Sequence, residues 1–133
     1  MNFFDRANKT LDRGNKNVTL NKMFELRGYI DESGTKHFDK WFKSLNAIAA
    51  AKVAIALTRM ELGNLSKAKG VGGGVLEYKI DFGPGYRIYF GKDGTHLVIL
   101  INGGTKKRQE QDIAEAQRCW IDYKRRKKNA PYP

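Results

Sequence analysis

Cysteine is nearly missing from this sequence: Cys119 stands alone. An internal disulfide is therefore excluded, which suits a reducing, cytoplasmic setting. Cys119 falls in an apolar helical stretch, so a packed thiol is expected rather than a nucleophile. Histidine is also scarce. His37 and His96 are far apart, neither has a Ser, Cys or acid at triad-like spacing, and with one cysteine they leave no metal-ligand cluster. The carboxylates are scattered, with no two-metal grouping, and the phosphate-loop pattern GxxxxGK[ST] is absent. No metal or cofactor is expected. No apolar run approaches the length of a membrane span, and Met1–Lys22 lacks the apolar segment of a signal peptide. Acidic residues are outnumbered: 14 Asp and Glu stand against 25 Lys and Arg, a formal net charge of +11. That balance favours a polyanionic partner, although charge alone does not separate RNA, DNA, ribosome and anionic membrane.

What is present fits one domain of 133 residues with a single modest core. Residues 1–22 read as a flexible polar extension with room for a short turn of helix at Phe3–Leu11, residues 23–128 as the domain, and 129–133 as a tail. Phe24–Ile30 alternates like a first strand. Asp31–Gly34 is a turn, and Thr35 is placed to cap a helix over Lys36–Leu45, where Phe38, Trp41, Phe42 and Leu45 share one face. After a break at Asn46, Ala47–Leu62 forms an Ala-rich helix ended by Gly63-Asn64. It carries two apolar stripes, Ala49, Val53, Ala56, Leu57 and Met60 against Ile48, Ile55 and Leu62. Coverage by sheet on one side and the preceding helix on the other accounts for both; a partner protein against the second stripe is the sharper reading.

Leu65–Gly74 reads as a basic, glycine-rich loop. Val75–Phe82, Tyr86–Gly91 and Thr95–Asn102 follow as a three-stranded antiparallel meander, punctuated by Gly83-Pro84-Gly85 and Lys92-Asp93-Gly94. Gly103-Gly104 ends the last strand. Gln109–Lys127 is a final helix with Ile113, Ala116, Trp120 and Tyr123 along one face. Strand, two helices, three strands and a helix predict an α+β domain.

Three segments carry candidate chemistry. In Val75–Ile88, Leu76, Tyr78 and Ile80 share a buried face, while Val75, Glu77, Lys79 and Asp81 share a polar face expected to be open to water. Arg87 and Tyr89 return on the next strand. A basic pair beside an aromatic suits a phosphate clamp with a stacking platform; an ordinary Glu77–Arg87 ion pair on a solvated sheet is the plainer alternative. Lys67 and Lys69 sit in the glycine-rich loop, whose free amides can wrap phosphate, although glycines also serve sharp turns. Lys106, Lys107 and Arg108 precede the last helix, where three cations oppose the helix dipole, hinting at a bound anion or at simple screening by solvent.

On Phe38–Leu45 (FDKWFKSL), Arg59–Asn64 (RMELGN), Gly72–Tyr89 (GGGVLEYKIDFGPGYRIY), Gly103–Lys106 (GGTK) and Gln109–Ala116 (QEQDIAEA), the chain resembles the RelE/ParE toxin superfamily. It is most similar to the HigB-like branch of addiction-module killer proteins. The resemblance covers most of the chain outside the extension and tail. It implies an antiparallel sheet packed by two N-terminal helices and a C-terminal helix. It further implies a toxin silenced by a cognate antitoxin, often a helix-turn-helix protein, and for many relatives metal-independent cleavage of mRNA on the ribosome. Attack by the RNA 2′-hydroxyl on its own phosphate would be assisted by basic side chains. Lys79 matches a strand lysine of that pattern, Arg87 the arginine of its Gly-Tyr-Arg turn, and Lys107 a second arginine, so these three are the implied catalytic residues. Lys67, Lys69, Tyr89, Lys106 and Arg108 would bind RNA, and Ile48, Ile55 and Leu62 the antitoxin. Two departures stand out: Asp81 replaces a second strand lysine, and Ile113 falls near the place of a late tyrosine. ParE-type relatives instead poison DNA gyrase without cleaving RNA, and that is the alternative the departures favour.

Overall fold

The computed structural model describes residues 22–130. The expected extension, but for Lys22, lies outside the described residues, as do the last three residues of the tail. The order is β1 (Glu25–Gly28), α1 (His37–Ser44), α2 (Ala47–Glu61), β2 (Ala68–Gly72), β3 (Val75–Ile80), β4 (Tyr86–Asp93), β5 (Leu97–Thr105), a 3-10 turn (Lys106–Arg108) and α3 (Gln109–Asn129). The architecture is α+β, with a five-stranded sheet ordered β1-β5-β4-β3-β2. The sheet is mixed rather than antiparallel throughout, because β1 runs parallel to β5. The intervening helices carry the chain back across the sheet to make that parallel pairing possible.

Local chemistry explains most of the boundaries. Asn46 starts α2 by accepting a hydrogen bond from the Ala49 amide at 2.9 Å. Gly63, at φ +90°, ends it in a conformation open to glycine. Thr35 is not the cap of α1; Lys36 holds that position without a side-chain bond. The Asp31 carboxylate organises the turn instead, accepting from the Ser33 and Thr35 amides at 2.9 Å each and lying 2.8 Å from His37 Nε2. The Ser33 hydroxyl foremost, and then the Thr35 amide, hold that carboxyl well below its ordinary range.

The glycine-rich segment is not a loop. Ala68–Gly72 pairs antiparallel with β3, and Gly72, Gly73 and Gly74 all have positive φ, closing a tight hairpin beneath α3. A Cβ on Gly74 would lie 2.8 Å from Trp120 Nε1. These glycines therefore serve a turn and a close approach.

The sheet is sandwiched. On one face Leu26, Tyr78, Ile80, Ile88, Phe90, Val98 and Leu100 pack against Phe38 of α1 and against Ala49, Val53, Ala56, Leu57 and Met60 of α2. On the other, Tyr29, Val75, Tyr89, Ile99 and Ile101 pack against Ala116 and Trp120 of α3, with Ile113, Cys119 and Tyr123 beside them. Burial pushes the Cys119 thiol up, as for a packed sulfur. The face carrying Val75 and Glu77, expected to be open, is thus roofed by α3.

β5 also runs further than the sequence suggests, because Gly103 and Gly104 lie inside it. Helices press on both sides there. A Cβ on Gly103 would overlap the Trp41 ring of α1, and one on Gly104 would overlap the Asp112 carboxylate of α3. Tyr89 pairs with Asn102 but Phe90 with Leu100, so Ile101 is the extra residue of a β-bulge. The bulge turns Asn102 toward α3, where its side-chain amide donates to the Asp112 carbonyl at 3.3 Å.

Candidate anion site

Antiparallel pairing of β3 with β4 sets Lys79 opposite Arg87 and Glu77 opposite Tyr89. Directly opposed residues share a sheet face, so all four belong to the side roofed by α3. The helix covers only part of it. Glu77, Arg87 and Tyr89 are buried, at 1%, 4% and 0% exposure, whereas Lys79 lies beyond the helix and is open to solvent.

Arg87 is held from several directions. Its Nε lies 3.7 Å from Glu77 Oε1, and its Nη1 donates to the Gly85 carbonyl at 3.0 Å. Gln109, the first residue of α3, donates to the other Glu77 oxygen at 2.9 Å, and Lys69 from β2 lies 3.9 Å from Oε1. The Gly85 carbonyl also accepts from the Lys106 amide at 3.1 Å. One carbonyl thereby ties the Gly-Pro-Gly turn to both the β4 arginine and the 3-10 turn before α3.

These bonds shape a shallow cleft of about 360 Å³, lined by Lys79, Asp81, Phe82, Gly83, Pro84, Gly85, Arg87 and Lys106. Gly83 and Gly85 have positive φ, which the reversal requires. Three cations from separated parts of the chain meet here. Lys79 is partnered by Asp81, Nζ to Oδ1 3.4 Å, with both side chains largely in water, so that pair is easily exchanged for a ligand. Arg87 sits at the floor with its charge fixed by Glu77. Among the described residues, Lys106 faces no carboxylate within ion-pair distance.

The expected residues distribute unevenly around this cleft. Lys79 and Arg87 come together, but the third cation is Lys106 rather than Lys107. Lys107 and Arg108 are exposed on the 3-10 turn outside the cleft lining, and Arg108 bonds Gln111 at 3.3 Å. Tyr89 offers no stacking surface: its ring is fully buried, and burial first, then the Glu77 charge, lifts its hydroxyl well above the ordinary range. Lys69 belongs to the rim of the Glu77 cluster. Lys67 lines a second depression, between α2 and the end of β3, together with Lys52, Ile55, Arg59, Lys79 and Phe82. Ile48, Ile55 and Leu62 are 65%, 50% and 41% exposed, so neither sheet nor α1 covers the second stripe of α2.

Phe82 is a cleft residue that the sequence did not single out, and Asp81, which reads there only as the replacement of a strand lysine, lines the cleft as well. The available signal was proximity: both directly follow the strand that carries Lys79. The three cations before α3 are also less costly than they look in the sequence. They form a separate 3-10 turn, and Glu110 and Asp112 occupy the first turn of the helix proper. Asp112 is buried there, and desolvation raises its carboxyl.

Among the described residues, no group of three or more His, Cys, Asp or Glu side chains is placed to hold a metal. No helix among them is long and apolar enough to cross a membrane. No protein-family model matches the chain. Over 84 residues it is 40% identical to an uncharacterized protein of Haemophilus influenzae, a match spanning 62% of this chain and 85% of that protein. With that identity over that much of its relative, the chain belongs to the same family as the Haemophilus protein.

Proposed function

We propose that this protein is the toxin of a toxin–antitoxin pair, a metal-independent endoribonuclease acting on ribosome-bound mRNA. The observation that carries the reading is the cationic cleft of Lys79, Arg87 and Lys106 around the Gly-Pro-Gly turn. It is open, shallow and hydrophilic, as a site for an extended phosphodiester must be, and the net charge of +11 draws polyanions toward it. In the reaction, the 2′-oxygen attacks the adjacent phosphorus, its proton leaves to a base, and the 5′-oxygen departs with a proton from an acid. A cyclic phosphate and a free 5′-hydroxyl result. Arg87 and Lys106 hold the developing oxyanion, and Asp81, the one carboxylate that lines the cleft among the described residues, receives the 2′ proton. Lys79, 3.4 Å from Asp81, supplies the proton to the leaving oxygen. Dependence on the 2′-hydroxyl restricts the chemistry to RNA. A cognate antitoxin, of the helix-turn-helix kind implied by the RelE/ParE resemblance, silences the toxin by docking on Ile48, Ile55 and Leu62.

The test is incubation of the purified chain with ribosomes programmed with mRNA, mapping cut sites by primer extension. Cuts should appear with the unaltered protein and fade with Lys79→Ala and Lys106→Ala, both exposed positions that tolerate truncation. Intact mRNA at excess protein rejects the nuclease reading.

One observation favours a second reading. Arg87 is buried and bound to Glu77, which limits how far it can move toward a substrate. A non-catalytic poison of DNA gyrase needs no such movement. Loss of supercoiling activity on adding the chain, with mRNA uncut, selects that reading.

A further inference from the structure

Two depressions meet at the end of β3. The anion cleft lies around the Gly-Pro-Gly turn, and the other, of about 180 Å³, lies against α2. Lys79, Asp81 and Phe82 line both, which joins them into one groove. β2 pairs no further along β3 than Tyr78, so no neighbouring strand covers this part of the edge. The α2 side of the groove carries three exposed cations. Lys52 and Arg59 are seven residues apart on one face of α2, and Lys67 stands just before β2. Among the described residues, none of the three has a carboxylate within ion-pair distance. Asp81 lines the same depression, but Lys79 partners it at 3.4 Å.

Phe82 stands between these cations and those of the anion cleft. It is 36% exposed, and its ring stacks on that of buried Tyr86, centroids 6.5 Å apart and planes 22° apart. Lys52 Nζ lies 5.1 Å from the centre of the Phe82 ring. An accessible aromatic backed by a buried one, with cations on both sides, is the surface that a single-stranded nucleic acid binds: backbone on the cations, base on the ring.

We propose that the α2 side of the groove is a second nucleotide subsite for single-stranded RNA. A base stacks on Phe82, the phosphate on its 5′ side is held by Lys52, Arg59 and Lys67, and the phosphate on its 3′ side occupies the anion cleft. The polarity rests on the chemistry proposed above. A 2′-oxygen attacks the 3′ phosphate of its own nucleotide, so the nucleotide facing Asp81 sets that phosphate beside Lys79, Arg87 and Lys106. Its 5′ phosphate then leaves the other way, toward α2. Lys52 is exposed, so its ammonium gives way to the base and turns to that phosphate. Paired bases stay stacked within a duplex and do not reach the ring, which selects single strands. Every base has a π-face, so the subsite orders the strand with little sequence preference.

The experiment uses the full chain and a six-nucleotide strand with fluorine in place of every 2′-hydroxyl, which binds without being cut. A central 2-aminopurine reports stacking by loss of its fluorescence. Binding to the unaltered chain should quench it. Phe82→Leu should abolish the quench and weaken binding about fivefold or more, and Phe82→Trp should restore both. Lys52→Ala, Arg59→Ala and Lys67→Ala should each weaken binding and lower the slope of log affinity against log salt by about 0.7. Lys128→Ala, which lines neither depression, should change neither quench nor slope. A dinucleotide with 2-aminopurine at its 5′ end tests the polarity. A 5′-terminal phosphate should tighten its binding to the unaltered chain but not to the double variant Lys52→Ala with Arg59→Ala. Circular dichroism on every variant separates lost binding from lost fold. An unchanged quench in Phe82→Leu, or equal affinity for a duplex of the same length, overturns the proposal. Indifference to the 5′ phosphate overturns the role of the α2 cations. Displacement of the strand by polyglutamate as readily as by unlabelled RNA, with Phe82→Leu silent, gives the groove to an acidic protein instead. The probe cannot react, so the two readings separate: cut mRNA with a silent Phe82→Leu keeps the nuclease and removes this subsite, and a Phe82-dependent quench with uncut mRNA does the reverse.

Discussion

Glu77 and Arg87 form an ion pair beneath α3, Oε1 to Nε 3.7 Å, with 1% and 4% of their surfaces exposed. This pair fixes the guanidinium at the cleft floor and joins β3, β4 and α3 through Gln109. Removing one partner strands the other in a water-poor site. Arg87→Ala should therefore cost about 3–5 kcal/mol, moderated by Lys69 at 3.9 Å. Glu77→Gln combined with Arg87→Ala should cost less than the two single changes added. Urea unfolding of the four proteins measures the coupling. An additive result would show that the pair does not act as a unit. The same logic makes Arg87→Ala a poor probe of catalysis, since it confounds chemistry with stability.

Tyr89 presents the reverse case. Its hydroxyl is buried with no hydrogen-bond partner among the described residues, facing the Glu77 charge. Tyr89→Phe removes an unsatisfied polar group and keeps the ring. Stability should change by less than about 1 kcal/mol or rise slightly, and affinity for RNA should stay the same. A marked loss of RNA binding would restore Tyr89 as a contact residue.

Gly103 and Gly104 are constrained by packing on opposite faces of β5. Gly103→Ala should displace Trp41 and cost roughly 1–3 kcal/mol. Gly28→Ala is the matched control, because a Cβ there meets nothing within 4 Å. Thermal unfolding that leaves both variants alike would mean that α1 moves away from β5 at little cost.

Those glycines also show which features local pattern reveals. Gly83 and Gly85 read correctly as a turn because their φ requirement is local. Gly103 and Gly104 look the same in sequence, yet their cause is nonlocal: two helices distant in the chain press on one strand. Helix periodicity identified the buried stripe of α2 for a related reason, since Val53, Leu57 and Met60 need only the helical repeat to share a face. Alternation on β3 correctly separated Leu76, Tyr78 and Ile80 from Val75, Glu77 and Lys79. It did not reveal that α3 would roof the second set as far as Glu77 and stop short of Lys79. The extra strand β2 was hidden by glycine content, and the parallel β1–β5 pairing leaves no local signature. Lys106 and Lys107 are adjacent and equally charged, and only the bond from the Lys106 amide to Gly85 decides which of them lines the cleft.

Two aspartates should give opposite pH signatures. Asp93 receives hydrogen bonds from Lys127 and from Tyr123, the latter at 2.5 Å, and these hold its carboxyl below the ordinary range. Its contribution is fully present above the unfolded-state value and is lost as pH falls through the folded value. Asp93→Asn should reduce stability at neutral pH by roughly 1–3 kcal/mol, with the deficit shrinking in acid. Burial raises Asp112, so its contribution is fully present below the unfolded-state value and is lost as pH rises through the higher folded value. Asp112→Asn should therefore stabilise the protein at neutral pH and converge with the unaltered chain in acid. Chemical denaturation across the acidic range checks both signs at once.

Asp81 gives the sharpest test of the proposed chemistry. It takes the place of a lysine in the pattern that the chain resembles, which reads in sequence as a missing catalytic group. Its position in the cleft, 3.4 Å from Lys79, makes it a candidate base for the 2′-hydroxyl. A general base contributes about 10²–10⁴-fold to rate. Asp81→Asn keeps the size of the side chain and removes the proton acceptor, so single-turnover cleavage should fall by that order. RNA affinity should hold or rise as a negative charge leaves the cleft. Lys106→Ala should do the opposite, losing affinity together with rate. If Asp81→Asn cleaves as fast as the unaltered chain, the base lies elsewhere. Should it lose binding and rate together, Asp81 orders Lys79 and does not take the proton.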